Sequence, residues 1–204
     1  EGVVVAVGTH KGQKLRIPGA NSAGVVVSTD FLRDVNLGKE VAVGRRVVVL
    51  GGGNVAFDCA RAARRLGAEE VIMACLECRE EMPASDDEIR EGEEEGIILR
   101  PAHTSTRILV EDGKVTGVEF LDVAACVFDE EGAPQIETVE GSTHALEADT
   151  VIFAIGQRPE IPEGFDIDKT DRGLVELDPY TSGTSREGVF AAVAPTAAAA
   201  PQEI

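Results

Sequence analysis

The stretch Arg45-Arg46-Val47-Val48-Val49-Leu50-Gly51-Gly52-Gly53-Asn54-Val55-Ala56-Phe57-Asp58 decides the fold. Two charged residues lead into four apolar ones; three glycines and a helical pattern follow. That order predicts strand, tight turn, helix. A continuous apolar run suits a strand buried on both faces, as in a parallel sheet covered on each side. In a G-x-G-x-x-A pattern each small residue has a physical task. Gly51 turns the chain off the strand, Gly53 leaves room for a pyrophosphate beside the backbone, and Ala56 lets the helix pack closely on the strand. The helix from Val55 to Leu66 aims its N-terminus, with free N–H groups and the positive end of its dipole, at that anion position. Gly67 ends the helix as a C′ glycine.

A second apolar strand, Val71 to Leu76, comes next and ends at Glu77. Glu77 lies about 20 residues past the fingerprint, where a carboxylate accepts hydrogen bonds from ribose hydroxyls. Gly51, Gly52, Gly53, Asn54, Val55, Ala56 and Glu77 are therefore candidate dinucleotide-binding residues. Asn54 either caps the helix or touches phosphate.

The chain has 204 residues, 43% of them hydrophobic, enough for a real core. Its formal charge of -18 speaks against nucleic acid or an anionic membrane as partner. No apolar run reaches membrane-spanning length and no signal peptide opens the sequence, so it reads as cytoplasmic. Four cysteines do not make a disulfide framework.

Around the central stretch, Gly2–Gly8 and Asp149–Gly156 read as apolar strands ending at glycines. The loops after Gly8 and Gly156 are candidate walls around a nicotinamide, at the carboxyl ends of strands. Thr29–Val35 reads as a short helix capped by Ser28 or Thr29. Ser85-Asp86-Asp87-Glu88 has capping-box form and opens a helix to about Glu95. The acids Glu91 and Glu93–Glu95 read as its solvated face. Gly96–Leu99 reads as a third parallel strand. Beyond Thr106 the pattern alternates, with an Asp-Gly turn at Asp112-Gly113, as in an antiparallel meander inserted between parallel strands. Gly173–Leu177 and Gly188–Ala192 read as further short strands. The expected fold is α/β: a Rossmann-like three-layer (ββα) NAD(P)-binding domain with a parallel sheet plus an antiparallel β-meander.

Several segments together resemble the flavin-linked pyridine-nucleotide oxidoreductases, in particular the small subunit of glutamate synthase and its iron–sulfur flavoprotein relatives. They are Ala6–Gly12, Ile17-Pro18-Gly19, Phe31-Leu32, Gly51–Arg61, Arg79–Ala84 and Ala154–Pro159. The Glu-Met-Pro-Ala element at Glu81–Ala84 is the most specific to the glutamate synthase group. The resemblance implies a nucleotide domain inserted into an FAD domain. Residues 1–38 and 157–204 would be remnants of the FAD domain, and residues 39–156 the NAD(P)H-binding domain. It implies hydride transfer from NAD(P)H to FAD, then passage of electrons to an iron–sulfur centre or to the glutamate synthase large subunit. The family's flavin-binding glycine fingerprint does not precede Gly2. Val193-Ala194 stand where a Gly-Asp that binds the flavin is expected. FAD is therefore expected in the full-length protein but not in this chain, which reads as an excised piece, inactive alone.

The glutamate synthase type carries two arginines where this chain has Leu76 and Glu77. A carboxylate repels a 2′-phosphate and accepts from two ribose hydroxyls, so NADH is expected over NADPH. Ala56 pulls toward NADP, and Arg79 is a candidate phosphate ligand. The cofactors carry the chemistry, so no catalytic residue is expected. Cys75-Leu76-Glu77-Cys78 has C-x-x-C form, but Cys75 falls inside a strand, which disfavours a dithiol reductase. Cys59 and Cys126 form no second spaced pair, and no metal site is expected. His10 lies beside the Gly8 loop; His103 and His144 read as loop and strand-surface residues. The alternative function is a non-catalytic nucleotide-binding or interaction domain.

Overall fold

The computed structural model describes residues 2–129, 133–170 and 173–192. The chain divides into two compact units: Gly12–Ile155, and residues 1–11 with 156–204. In chain order the elements are β1 (Val3–Val5), β2 (Lys11–Gly12), β3 (Val25–Val27), α1 (Ser28–Asn36), β4 (Arg46–Leu50), α2 (Asn54–Arg65) and β5 (Glu70–Ala74). There follow α3 (Asp86–Glu94), β6 (Ile98–Arg100), β7 (His103–Glu111), β8 (Lys114–Phe128), β9 (Pro134–Thr138) and β10 (His144–Glu147). The last elements among the described residues are β11 (Thr150–Phe153), β12 (Gln157–Arg158) and β13 (Val189–Ala191).

The larger unit has three layers. Its middle is an all-parallel sheet in the order β3-β11-β4-β5-β6. Successive strand residues point to opposite faces, and both faces here are apolar. Val47 and Val49, with Val71, Met73 and Ile152, pack against Phe31 of α1 and Ala56, Phe57 and Ala60 of α2. Val48 and Leu50, with Ile72, Ala74, Val151 and Phe153, pack against Ile108, Val115, Val118 and Phe120 of an antiparallel sheet. That second sheet runs β10-β8-β7, with β9 also on β8. The expected hairpin turn is present: Asp112 and Gly113 both take positive φ, the signature of a type I′ turn. The α/β fold with its antiparallel meander is thus as the sequence pattern implies.

Residues 12–38, which the resemblance assigns with the first residues to a flavin-domain edge, supply β3 and α1 to the larger compact unit. Some elements differ. Helix α1 starts at Ser28, one residue before the expected Thr29, and its N-cap is Val27, which has no side-chain acceptor; the Thr29 hydroxyl accepts the Gly12 N–H at 3.1 Å. The third strand sits slightly later than expected, at Ile98–Arg100. In the smaller unit β1 pairs with β13 in parallel, around Val5, Ile167, Val175, Val189 and Ala191. There Val3 and Val4 are exposed, not buried. The strand expected at Gly173–Leu177 is a single bridge between Lys169 and Val175.

The acids of α3 are not simply solvated. Arg61 on α2 reaches Glu88 at 3.2 Å, Glu91 at 3.0 Å and Glu95 at 2.7 Å. Arg65 joins at Glu95 and Arg79 at Glu93. Helix α2 thus supplies the positive charge that holds α3 against it. Ser85 caps α3, its side chain accepting the Glu88 N–H as the capping-box pattern predicts. Gly92 allows the close approach of the two helices: a Cβ there would lie 2.6 and 2.7 Å from ring carbons of the fully buried Phe57.

Two outcomes follow. Gly92→Ala gains up to about 1 kcal/mol of helix propensity, but forcing a methyl into a ring that has no room to move costs about 1–3 kcal/mol. The variant should be less stable than wild type in urea unfolding. Asp149 accepts from both the backbone and the guanidinium of Arg46 at 2.9 Å, joining the starts of β11 and β4. The Arg46 hydrogen bonds outweigh burial and hold the Asp149 carboxyl below its usual range. A depressed folded-state pKa stabilises the fold above the unfolded value and is lost as pH falls through the folded one. Asp149→Asn should therefore lower the urea midpoint near neutral pH, with the gap to wild type closing as pH falls below about 4.

Candidate dinucleotide-binding site

The glycine corner stands at the carboxyl end of β4, where α2 begins. Gly51 has φ 137°, and a Cβ there would run into the Ala154 carbonyl oxygen at the end of β11. A Cβ on Gly52 would lie 2.9 Å from the Cβ of Cys75 and 3.3 Å from Oε2 of Glu77. Gly53 is different: a Cβ there would meet only Pro83 Cγ, at 4.0 Å. The first two glycines are demanded by neighbouring protein, while Gly53 faces open space. Gly53 is also the N-cap of α2 and brings no capping side chain. Ala56 is fully buried in the helix-face core, as close packing on the strand requires.

The segment after β5 forms a belt across this corner. Ala84 donates its N–H to the Gly52 carbonyl at 3.2 Å, and Ser85 donates to Asn54 Oδ1 at 2.9 Å. Met82 and Ala84 are buried in the same core as α2. The Glu81–Ala84 element is thus a structural strap that holds the loop, and the Asn54 side chain serves it. Neither bond was legible in the sequence, because both join segments about 30 residues apart through a local backbone path that no periodicity encodes. Glu77 stays beside the corner, whereas Arg79 turns to Glu93 at 2.7 Å. Gly51, Gly52, Gly53, Asn54, Val55, Ala56 and Glu77 are brought together. Gly8 and Gly156 belong to the smaller unit, both with positive φ.

The family profile described as pyridine nucleotide-disulphide oxidoreductase matches residues 1–194. The chain belongs to that family. It is 36% identical over 208 residues to the glutamate synthase (NADPH) small chain of Azospirillum brasilense, covering 93% of this chain and 42% of that protein. Identity is also 36%, over 196 residues, to the NADP(+)-dependent formate dehydrogenase subunit beta of Moorella thermoacetica, covering 94% and 28%. The NADPH-Fe(3+) oxidoreductase subunit beta of Geobacter sulfurreducens is 39% identical over 177 residues, covering 83% and 26%. The chain thus spans less than half the length of these relatives. Among solved structures, a variant of FprA from Mycobacterium tuberculosis superposes with TM-score 0.75 at 17% identity, covering 93% of this chain and 57% of that one. Thioredoxin reductase of T. acidophilum gives TM-score 0.65 at 22% identity, covering 94% and 56%. These two establish the Rossmann-like fold.

In a pyridine nucleotide-disulphide oxidoreductase the C-x-x-C at Cys75 and Cys78 calls for scrutiny. Both thiols are free, as are Cys59 and Cys126. The second strand ends at Ala74, so Cys75 lies just past β5 and not inside it as the sequence pattern implied; it is buried all the same, and its thiol donates to the Glu77 carbonyl at 3.6 Å. Burial and then the Glu77 charge push it up to about 12. Burial does the same to Cys59. A nucleophilic dithiol needs an accessible thiolate, and this environment suppresses it. No helix among the described residues is long and apolar enough to cross a membrane. The Val193-Ala194 departure lies outside the described residues.

The thiols should therefore separate by reactivity. Iodoacetamide near neutral pH should label Cys78 and Cys126 in the native protein and leave Cys59 and Cys75 untouched until urea is added. Peptide mass spectrometry reads this directly.

Proposed function

We propose that this chain is the NAD(P)H-binding module of a flavin-dependent oxidoreductase of the glutamate synthase small-subunit type, and that it prefers NADH. The observation that carries the reading is the corner at Gly53. It is the one glycine of the three whose missing side chain opens onto space and not onto protein, directly at the uncapped N-terminus of α2. A diphosphate fits that position by charge and by room. When bound, NAD(P)H and FAD supply hydride transfer between nicotinamide and flavin. This chain's residues bind and orient the nucleotide half: Gly51–Ala56 at the diphosphate, Glu77 at the ribose.

The relatives named above carry NADP(H) in their names. In this reading Glu77 serves the ribose, where a 2′-phosphate would meet its carboxylate. Arg79 is already engaged by Glu93. An exposed pair of that kind is worth about 0–1 kcal/mol, so Arg79 can leave it for a phosphate, but the Glu77 charge remains. The smaller unit is, in this reading, the edge of the flavin domain. Its exposed Val4 and Phe190, directly opposed on β1 and β13, form an apolar patch on one face of that pair, of the kind that a neighbouring layer covers. Electrons would pass from there to an iron–sulfur or glutamate synthase large subunit, in the cytoplasm.

Titration with both reduced cofactors, followed by nicotinamide fluorescence, tests the proposal. NADH should bind more tightly than NADPH, and tighter NADPH binding overturns the preference. Gly53→Ala should unfold like wild type, since its Cβ meets nothing close, yet bind either cofactor at least tenfold more weakly. Glu77→Ala should weaken NADH about tenfold or more, the worth of hydrogen bonds to a charged group, and spare NADPH. Unchanged binding in Gly53→Ala removes the corner as the site.

A further inference from the structure

The hairpin register of the antiparallel sheet sets His103 of β7 directly opposite Asp122 of β8, and His144 of β10 opposite Phe120. Residues two apart on a strand share a face, and so do directly opposed residues. His103, Asp122 and His144 therefore converge on one face beside the fully buried Phe120. The two imidazole centroids are 5.1 Å apart and nearly perpendicular, and each ring lies 6.0 Å from the Phe120 ring.

Each histidine is oriented by a carbonyl. Nδ1 of His103 is 2.7 Å from the Pro101 oxygen, and Nδ1 of His144 is 2.8 Å from the Ser142 oxygen. A carbonyl only accepts, so Nδ1 of His103 carries the proton and its Nε2, which faces Asp122, carries the lone pair, the arrangement of a metal-ligating histidine whose tautomer and ring plane a backbone carbonyl fixes. In His144 it is Nδ1 that is nearest Asp122, 3.7 Å from Oδ1, so a cation there would take that nitrogen in place of the Ser142 carbonyl contact, with the proton on Nε2. Asp122 is held as well, its N–H donating to Ser142 Oγ at 2.9 Å. His103 Nε2 faces Asp122 Oδ1 at 3.6 Å. This is too long for a hydrogen bond. It is close to the separation of about 3.3 Å between two ligand atoms that sit about 2.0–2.2 Å from a tetrahedral ion. One donor atom from each of the three side chains lies within 4.8 Å of the other two.

We propose that His103, His144 and Asp122 form a site for a divalent transition cation of the zinc class. Two neutral imidazoles and one carboxylate suit Zn2+ and leave a fourth position for water. The site opens into a depression lined also by Arg100, Pro101, Val123 and Leu146. It joins three strands of the antiparallel sheet, so bound metal pins β10 and β7 to β8. Its three side chains are not among the residues of the glycine corner, although the His103 N–H donates to the Cys75 carbonyl at 2.7 Å, and the inference does not rest on the cofactor reading.

The test uses the full chain, stripped with chelator and titrated with Zn2+ alone by calorimetry. Expected are one Zn2+ per chain and, with Co2+, visible d–d absorption lacking a thiolate charge-transfer band. His103→Gln and Asp122→Asn should each weaken binding at least tenfold, while replacement of Cys75, Cys78 and Cys126 by serine leaves it unchanged. In wild-type protein, Zn2+ should shift the ring resonances of His103 and His144 in NMR spectra, a reading that needs no variant to fold. Absence of binding, a thiolate band, loss of binding in the cysteine variant, or unmoved histidine resonances overturns the proposal.

Discussion

The burial of β4 on both faces is the constraint from which the rest of the larger unit follows. Val47 and Val49 need helices on one side; Val48 and Leu50 need a second sheet on the other. Its neighbours β5 and β11 are reached by crossovers, through α2 and through the antiparallel sheet, and the sheet is parallel. A parallel sheet brings the carboxyl ends of β4, β5 and β11 to one edge. At that edge Gly51 meets the Ala154 carbonyl and Gly52 meets Cys75, so the turn is packed from both sides before any ligand arrives. Only Gly53 is left with room, and the direction of that room is set by the two contacts before it.

Charge is arranged around the same core. A chain carrying -18 must place its few cations with care. Arg61 is three-quarters or more enclosed and serves three glutamates of α3. Burial works against the Glu95 charge, yet the hydrogen bonds from Arg61 and Arg65 prevail and hold that carboxyl below its usual range. Helix α3 carries no basic residue in its last turn, so its acids sit at the unfavourable end of its own dipole. The arginines of α2 offset this. In return, α3 anchors the belt from Arg79 to Ser85 that closes over the glycine corner.

Much of this was legible. The apolar run, the glycines, the capping box at Ser85 and the Asp-Gly turn are local signals, and each stands where the pattern placed it. Glu91, Glu93 and Glu94 of α3 are exposed as a row of acids implies, but their pairing with arginines, and the half-burial of Glu95, could not be read without the partner helix. His103, read as a loop residue, and His144, read as a strand-surface one, both begin strands, and their meeting with Asp122 was not legible because it lies across strands. A trace was present even so. The two irregularities in the β7–β8 ladder cancel, so counting back from Asp112-Gly113 pairs His103 with Asp122.

The sequence by itself determined the three-layer α/β class and the strand–glycine–helix corner, since these rest on periodicity and on residues whose backbone freedom or size is local, and it pointed to the family through the resemblance of its motifs. Tertiary structure alone decided that Gly53 has space while Gly51 and Gly52 do not, that Asn54 serves the belt, that Cys75 is enclosed, and that two histidines face one aspartate. Those outcomes depend on which segments meet, and the distances between segments far apart in the chain are set by packing, which no short window of residues contains.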